Sequence, residues 1–193
     1  MEEYKLLIDN IRELVVLNEE DIPSIIKAFK PRHLKKKETL LFKGQVSIHM
    51  RFISKGCLRT YYIDEKGMEH ILQFGIEQWW VNDLYSYLTQ KPSKNFIQAV
   101  EESVVLQIHK ESLEKLFKDV PSIERFFRLR IQSGYVALQE RTIDSMSQTA
   151  EQRYQEFLSK YRHIEQRVPQ YMVASYLGIT PEFLSNIRKK ISS

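Results

Sequence analysis

The chain has little of what secreted, membrane-spanning or metal-binding proteins depend on. Its 193 residues contain a single cysteine, Cys57, so one chain can form neither a disulfide nor a cysteine-ligated zinc or iron–sulfur site. No uninterrupted apolar run exceeds four residues, which excludes a transmembrane helix, and the acidic start Met1-Glu-Glu lacks the basic character of a signal peptide. We therefore expect a cytoplasmic protein with no membrane contact and no cofactor.

The histidines are also too scattered to indicate a metal centre. The closest two of the five, His33 and His49, are 16 residues apart, and no His-x-His pair occurs. A barrel metalloenzyme of the cupin type would need two or three histidines and a carboxylate around one metal ion. No Gly-x-Ser-x-Gly turn indicates a serine nucleophile. The sequence predicts no metal site, no catalytic residue and no enzyme, with a cupin-like metalloenzyme as the alternative.

Positive charge is concentrated near the C-terminus. The whole chain has 29 Lys or Arg and 25 Asp or Glu, a net charge of +4. Residues 149–193 hold seven of these cations and four of the acidic residues, which gives +3, while residues 1–148 hold 22 and 21 and are almost neutral. A local excess of this kind is the electrostatic pattern expected of a segment that binds nucleic-acid phosphate.

A helix-turn-helix pattern lies within this basic segment. Apolar residues at one-turn spacings predict a first helix that begins at Pro169 or just after it. Gly178 supplies a sharp turn, because glycine adopts a left-handed conformation at low cost. Thr180 is a good N-cap and Pro181 a good first helical residue, so a second helix begins there. A short polar helix held by such a turn can lie in the major groove of DNA.

The second helix, over residues 181–190, is predicted to have an apolar side and a polar side. The apolar side consists of Phe183, Leu184 and Ile187. Two amphipathic helices that simply end a domain are the alternative interpretation, because cations in a last turn also suit the helix dipole. The residues that we expect to contact DNA are Thr180, Glu182, Ser185, Asn186, Arg188, Lys189 and Lys190.

The N-terminal part of the chain changes from helical to strand-like periodicity. Apolar spacing predicts helices over the first 30 residues, stopped by Pro31. From about Leu34, glycines recur every 11 or 12 residues between short apolar runs, which is typical of a β-sandwich or barrel. The predicted strands include a hairpin of residues 58–63 and 68–74 and the runs 96–100 and 104–108, and a short helix follows at 110–117.

A single long helix is predicted over residues 121–147. A lone surface helix needs one apolar stripe, and this segment has two. The pattern predicts a helix that packs on its own barrel with one stripe and on a partner helix of a homodimer with the other. Burial inside a monomer is the alternative. The two stripes are Phe127, Ile131 and Leu138, and Leu129, Val136 and Ile143.

A capping box marks where the long helix gives way to the C-terminal segment. Thr149 and Gln152 have the spacing of a capping box at a helix start. In this motif the side chain of each residue accepts the backbone N–H of the other. A fresh helix is therefore expected from residue 149, and residues 147–148 are the expected hinge between two domains.

This order of elements resembles the Crp–Fnr superfamily of bacterial transcription regulators, in particular its short Bacteroidetes-type members. The resemblance covers nearly the whole chain. It implies an α+β fold with a cyclic-nucleotide-binding-like β-roll or jelly roll at residues 1–120, a dimerisation helix at 121–147 and a helix-turn-helix domain at 148–193. The phrases that carry it are Lys55-Gly-Cys-Leu-Arg-Thr-Tyr-Tyr62, Trp79-Trp-Val-Asn-Asp-Leu-Tyr-Ser-Tyr87 and Ala174-Ser-Tyr-Leu-Gly-Ile-Thr-Pro-Glu182.

The resemblance also implies a function and a set of partners. It implies a homodimeric transcriptional regulator that reads double-stranded promoter DNA, works with RNA polymerase and responds to a small-molecule effector. The family often has Glu, Ser and Arg on the groove face, where this chain has Glu182, Ser185 and Asn186. Asparagine pairs with adenine where arginine would take guanine, so a different operator is expected. An interaction module that has lost DNA binding is the alternative.

The nucleotide site of the resembled family is altered in this chain. Members that bind cyclic AMP carry a Gly-Glu-Leu phrase and, about ten residues on, an Arg-Ser or Arg-Thr pair for the cyclic phosphate. Here Asn82-Asp83-Leu84 and Ser93-Lys94-Asn95 stand at those places, and a lysine lacks the planar fork of arginine. The resemblance thus implies a ligand other than cyclic AMP, or none. The candidate lining is Trp79, Trp80, Asn82, Asp83, Lys91 and Lys94.

Overall fold

The structure, a computed structural model, describes residues 2–192 and has the mixed helix and strand content expected of an α+β fold. Its helices are α1 (Glu2–Arg12), α2 (Ile22–Ala28), α3 (Leu84–Thr89), α4 (Lys110–Asp119), α5 (Pro121–Ser147), α6 (Ala150–Glu165), α7 (Gln170–Leu177) and α8 (Pro181–Ser192), with a 3₁₀ turn at Glu19–Asp21. Its strands are β1 (Lys30–Leu34), β2 (Thr39–Leu41), β3 (His49–Lys55), β4 (Leu58–Ile63), β5 (Glu69–Gly75), β6 (Phe96–Ala99) and β7 (Ser103–His109).

The strands form two antiparallel sheets that enclose a small apolar interior. One sheet has the strand order β1-β7-β3 and the other the order β2-β6-β4-β5. Successive residues of a strand face opposite sides, so every second side chain points between the sheets. The predicted β4–β5 hairpin is confirmed. The interior is formed by Leu34, Leu41, Ile53, Leu58, Val81, Ile97, Ala99 and Val105.

A layer of helices covers the outer face of the three-stranded sheet. Met50 and Phe52 of β3 and Leu106 and Ile108 of β7 are buried on that face. They pack against apolar residues of α1, α2, α4 and the first turns of α5. A second apolar cluster, larger than the one between the sheets, therefore lies outside the sandwich, and it anchors the start of α5.

The boundary between the N-terminal helices and the first strand differs from the prediction. Helix α2 ends at Ala28, and Pro31, which was expected to stop the helix, lies inside β1. Strand β1 is an edge strand that pairs with β7 alone. Proline is tolerated at such an edge because its missing N–H removes no ladder bond.

Helix α5 has the predicted bounds but leaves its barrel earlier than predicted. Ile123, Phe126 and Phe127 are buried, whereas every residue from 131 to 140 is exposed. Ile131 and Leu138 of one predicted stripe and Val136 and Ile143 of the other are all exposed, so neither stripe packs on the barrel along its whole length. No helix within residues 2–192 combines the length and apolar character needed to cross a lipid bilayer.

Candidate nucleic-acid interface

The turn between α7 and α8 has the geometry predicted for a helix-turn-helix. Gly178 has a left-handed conformation with φ of 69°, and the N–H of Ile179 donates to the carbonyl of Ala174 at 3.0 Å, as in a Schellman motif. Thr180 caps α8, because its hydroxyl oxygen accepts the N–H of Phe183 at 3.2 Å. Both ends of the turn are therefore fixed by hydrogen bonds, and the angle between the two helices is set by the backbone.

Helix α8 has one side buried in its own domain and one side facing outward. Leu184 and Ile187 are buried against α6 and α7, where they contact the cluster that contains Tyr154 and Phe157. The opposite side is polar, as predicted. Its exposed residues are Glu182, Asn186, Lys189 and Lys190, with Thr180 exposed at the cap and Ser185 half-buried at the margin.

Phe183 is the exception to the predicted division. It was expected on the apolar side with Leu184 and Ile187, but it is 50% exposed. Leu184 and Ile187 are three residues apart and already define the buried stripe, so Phe183 is rotated to its margin. An aromatic ring consequently lies on the outward surface, one turn from Asn186.

The three consecutive cations at the end of α8 have different surroundings. Arg188 is half-buried, with its Nη1 3.4 Å from the carboxylate of Glu165 in α6. Lys190 is exposed, and its Nζ lies 2.8 Å from a carboxylate oxygen of Glu151. We had expected Arg188 between the two sides, on the flank of the reading helix, and it is instead directed towards α6. The exposed flank is therefore built from Lys189 and Lys190.

Two arginines hold the carbonyl end of α7. The last carbonyl groups of a helix have no partner within the helix. Arg141 of α5 donates to the carbonyl of Tyr176 at 3.1 Å and lies 4.0 Å from the centre of that ring, and Arg153 of α6 donates to the carbonyl of Leu177 at 3.2 Å. Arg141 also donates to the carbonyl of Leu72 in β5. One side chain thus joins α5, α7 and the barrel.

Helix α7 covers the free edge of strand β5, the last strand of its sheet. The hydroxyl oxygen of Ser175 accepts the N–H of Ile71 at 3.0 Å, and the hydroxyl donates to the carbonyl of Glu69 at 2.9 Å. The rings of Phe74 and Tyr176 pack beside this contact at 5.5 Å. The serine therefore takes the place of a neighbouring strand, and the helix-turn-helix is joined directly to the barrel.

An ion-pair cluster fixes the segment between α6 and α7. Arg167 donates to both carboxylate oxygens of Glu77, at 2.7 and 3.0 Å, and also to Glu101. Burial raises the pKa of Glu77, but hydrogen bonds from Arg167 and from backbone N–H groups, Gly56 included, outweigh it and leave the pKa below the usual glutamate value. The stabilisation is fully present at neutral pH and is lost as the pH falls through that lowered pKa.

The two tryptophans do not line one pocket. Trp80 turns into the helical layer, where its ring lies 4.9 Å from that of Phe127 and its N–H donates to Asn10 at 3.2 Å. Trp79 turns the other way and contacts the ring of Tyr161 in α6 at 5.7 Å. The expected joint wall was wrong, because neighbouring residues of an extended segment point to opposite sides.

The polar residues expected beside the tryptophans are largely engaged in holding the fold. Asp83 is buried, caps α3 and accepts the hydroxyl of Ser93 at 2.5 Å. Asn82 accepts a backbone N–H of β3 at 2.9 Å, while Lys91 and Lys94 are exposed. This set does not fit a cyclic phosphate, because its one buried charge is a carboxylate. Residues 2–192 hold no group of three or more His, Cys, Asp or Glu placed for a metal ion.

Comparison with known proteins identifies the family. Residues 31–120 match the family model of the cyclic nucleotide-binding domain. The chain is 25% identical over 186 residues to the anaerobic regulatory protein of Haemophilus influenzae, a match that covers 89% of this chain and 70% of that one. It is 27% identical over 188 residues to the fumarate and nitrate reduction regulatory protein of Escherichia coli, with 89% and 72% covered. This chain belongs to the Crp–Fnr superfamily of transcription regulators.

The fold of this Crp–Fnr protein also resembles solved structures. FixK2 from Bradyrhizobium japonicum superposes with a TM-score of 0.72 at 16% sequence identity, over 85% of this chain and 84% of that one. The predicted arrangement of β-roll, long helix and helix-turn-helix is thereby confirmed as a fold.

Sequence reasoning missed the contacts that place the helix-turn-helix of this Crp–Fnr protein on its barrel. Ser175, Arg141 and Arg167 are ordinary polar residues that no periodicity singles out, and their partners are distant in sequence. One sequence signal was available for such a contact. A predicted strand at the end of a hairpin has a free edge, and its backbone N–H and C=O groups must be hydrogen-bonded by another element or by water. Composition alone could not say that a serine hydroxyl provides it.

We predict that Ser175→Ala loosens the contact between α7 and β5. The change leaves the N–H of Ile71 and the carbonyl of Glu69 without their partner, at a cost of about 1 kcal/mol or more. Amide hydrogen exchange at Ile71 should accelerate roughly fivefold or more, since 1.4 kcal/mol corresponds to a factor of ten.

Ser159→Ala is the matched control, because the Ser159 hydroxyl donates only within its own helix, to the carbonyl of Glu156. It should leave exchange at Ile71 unchanged. Equal exchange rates at Ile71 in the wild-type protein and in Ser175→Ala would contradict the proposed role of the serine.

Proposed function

We propose that this Crp–Fnr protein is a homodimeric transcription regulator that binds double-stranded promoter DNA by placing α8 in the major groove. The observation that carries the proposal is the outward polar face of α8, held by the turn at Gly178 and the cap at Thr180. Asparagine and glutamate side chains have the hydrogen-bonding groups that read base edges, and lysines have the charge that contacts phosphate. The regulators to which the chain is similar support the same function.

We propose three functional parts: a sensor at residues 1–120, a dimerisation helix at 121–147 and a DNA-binding domain at 148–193. The family match ends at residue 120, and α5 ends at Ser147, where Gln148 takes an extended conformation. In this scheme the sensor takes an effector other than cyclic AMP, and the DNA-bound dimer works with RNA polymerase in the cytoplasm. No part of the chain acts as an enzyme.

The exposed apolar residues of α5 support the dimer. At about 100° per residue they fall on one half of the helix, whereas the buried Ile123, Phe126 and Phe127 and the barrel-contacting Arg141 fall on the other. A long apolar face directed away from its own barrel favours a second copy as the partner. The exposed set is Ile131, Tyr135, Val136, Leu138, Ile143 and Met146.

The residues of α8 divide into three roles. Lys189 and Lys190 contact phosphate, with Lys190 exchanging its ion pair with Glu151 for one with DNA. Arg188 orients the helix through Glu165. Thr180 caps the helix beside the backbone of the DNA. The residues that read bases are Glu182, Ser185 and Asn186.

Phe183 gives this interface an apolar base contact. Its exposed ring lies one turn from Asn186, the residue proposed to pair with adenine. The adenine of a base pair stands opposite thymine, whose C5 methyl group is the apolar feature of the major groove. We therefore assign Phe183 to contact a thymine methyl near that adenine.

Selection of binding sites from random DNA, followed by mobility shift across a salt series, tests the proposed function. A regulator that neutralises several phosphates should select a two-fold symmetric motif and show a steep fall in affinity with salt. No selected motif and no salt-dependent binding would favour the alternative of an interaction module that has lost DNA binding.

The dimer predicts a specific response to charge on α5. Val136→Lys with Ile143→Lys should give monomers at micromolar concentration in sedimentation, because the change places charges in the apolar face. The control is Ser133→Lys with Ala137→Lys, which adds the same charge at exposed positions on the other half of the helix. A wild-type monomer at that concentration would contradict the proposal.

Lysine and asparagine substitutions should have distinguishable effects on DNA binding. Lys189→Ala or Lys190→Ala should weaken all sequences about equally and reduce the salt slope by about one unit. Asn186→Ala should instead relax the selected motif at one position in each half-site, at a cost of roughly 1–3 kcal/mol of discrimination. An unchanged motif in Asn186→Ala would show that the asparagine does not read a base.

Replacing single thymines of the selected site by deoxyuridine tests the role of Phe183, because the change removes only the C5 methyl group. The wild-type protein should lose affinity at one thymine in each half-site, and Phe183→Ala should bind both DNAs equally. Ile191→Ala, which truncates another exposed apolar residue of α8, should keep the wild-type preference. Identical sensitivity in the wild-type protein and Phe183→Ala would refute the contact and leave DNA binding intact.

A further inference from the structure

A buried arginine points into the barrel from strand β3. Met50 and Phe52 face the helical layer, whereas Ile53 belongs to the interior between the sheets. Arg51 alternates with Met50 and Phe52, so it lies on the interior side with Ile53. It is 4% exposed, although arginine is rarely buried unless it is paired.

The charge of Arg51 has no anionic partner among the described residues. One nitrogen, Nη1, makes two long hydrogen bonds, at 3.4 Å to the hydroxyl of Ser47 and 3.3 Å to the carbonyl of His49, and Nε has no partner within residues 2–192. Burial lowers the pKa of Arg51 to about 10, so the group still carries its charge at neutral pH. An uncompensated buried charge is costly for the fold.

A second buried arginine of the same barrel is paired with a carboxylate, as a structural cation is expected to be. Arg59 on β4 is 5% exposed, and its guanidinium pairs with Glu69 at 2.5 Å and donates to Gln98 at 2.8 and 3.0 Å. Arg59 is therefore paired with a carboxylate and hydrogen-bonded on three of its N–H contacts, while Arg51 has no carboxylate, two long hydrogen bonds from one nitrogen and an unpartnered Nε. Burial alone does not explain why Arg51 lacks a carboxylate.

The neighbours of Arg51 on the same face are also free of negative charge. Gln107 pairs with it across to β7, and His49 and His109 form the next pair, with ring centres 5.3 Å apart. Burial, followed by the charges of Arg51 and His109, lowers the pKa of His49 to about 4, so the imidazole is neutral at pH 7. These neighbours are half-buried, so solvent reaches the rim of the barrel next to the buried arginine.

We propose that Arg51 forms an anion-binding site that takes the carboxylate or phosphate group of a small molecule entering at this rim. A guanidinium binds both groups through paired N–H donors, and Nε is one of the donors that such a pair uses. The hydroxyl of Ser47 and the amide of Gln107 provide neutral polar groups beside it. The site is independent of the DNA-binding function and is tested without DNA.

The experiment uses the full chain and two simple probes, sodium acetate and sodium phosphate, against sodium chloride at equal ionic strength and pH 7. Thermal unfolding of the wild-type protein should show a saturable rise of about 5 °C or more at 100 times the dissociation constant of the preferred probe. The probe that saturates at lower concentration tells whether the site takes carboxylate or phosphate. In parallel, the Nε–H resonance of Arg51 should shift along the same saturation curve.

Arg51→Met and Arg59→Met are the matched variants. Arg51→Met should lose the saturable rise and unfold in chloride at or above the wild-type temperature, because the change removes an unpaired buried charge. Arg59→Met should unfold at a lower temperature, since Glu69 loses its partner, and should keep the rise. Arg51→Gln serves if Arg51→Met does not fold.

Two outcomes would overturn the proposal. One is a rise in wild-type unfolding temperature that increases linearly with salt and is equal in the Arg51 variants, which is a general salt effect. The other is an Nε–H resonance that does not move with either probe. Because DNA binding is measured separately, either outcome refutes the anion site and leaves the proposed regulator unaffected.

Discussion

The free edge of strand β5 is the constraint on which the arrangement of the two halves of the molecule depends. An edge strand exposes backbone N–H and C=O groups that must be hydrogen-bonded or covered. Here helix α7 covers the edge. The hydroxyl of its Ser175 accepts one backbone N–H of β5 and donates to one backbone carbonyl of the same strand. The first helix of the helix-turn-helix is therefore held along the free edge of β5. The direction of α8 follows from the turn that joins α7 to α8.

Charged side chains then fix the rotation of the DNA-binding unit about that edge. Arg141 reaches from α5 to both α7 and β5, and Arg167 ties the segment before α7 to Glu77 and Glu101. Both arginines satisfy carbonyl or carboxylate groups that would otherwise be partly buried and unpaired. The same Arg141 lies on the half of α5 that faces the barrel, so the apolar half of that helix is turned outward. The exposed apolar half of α5 and the outward polar face of α8 are thus oriented by one set of contacts.

The sequence predicted local features well and distant contacts poorly, for a physical reason. The turn at Gly178, the cap at Thr180 and the capping box of Thr149 and Gln152 each depend on a few adjacent residues, and all are confirmed. Pro31 and Phe183 were misassigned because edge position and the exact margin of a helix stripe depend on neighbours far along the chain. The ligand wall of Trp79 and Trp80 failed for the same reason, since the two sides of that segment face different layers.

The segment of residues 78–82, which contains both tryptophans, connects strand β3 to helices α5 and α6. Its backbone bonds β3 at Arg51 and at Ile53, with the N–H of Val81 donating to the carbonyl of Arg51 at 2.9 Å and the N–H of Ile53 to the carbonyl of Trp79 at 2.8 Å. From there Trp80 packs on Phe126 and Phe127 of α5, and Trp79 packs on Tyr161 of α6. The segment beside Arg51 thus contacts α5 through one indole ring and α6 through the other. Contiguous packing of this kind is one physical means by which a change at β3 can reach α5 and α6, and the two indole rings supply it.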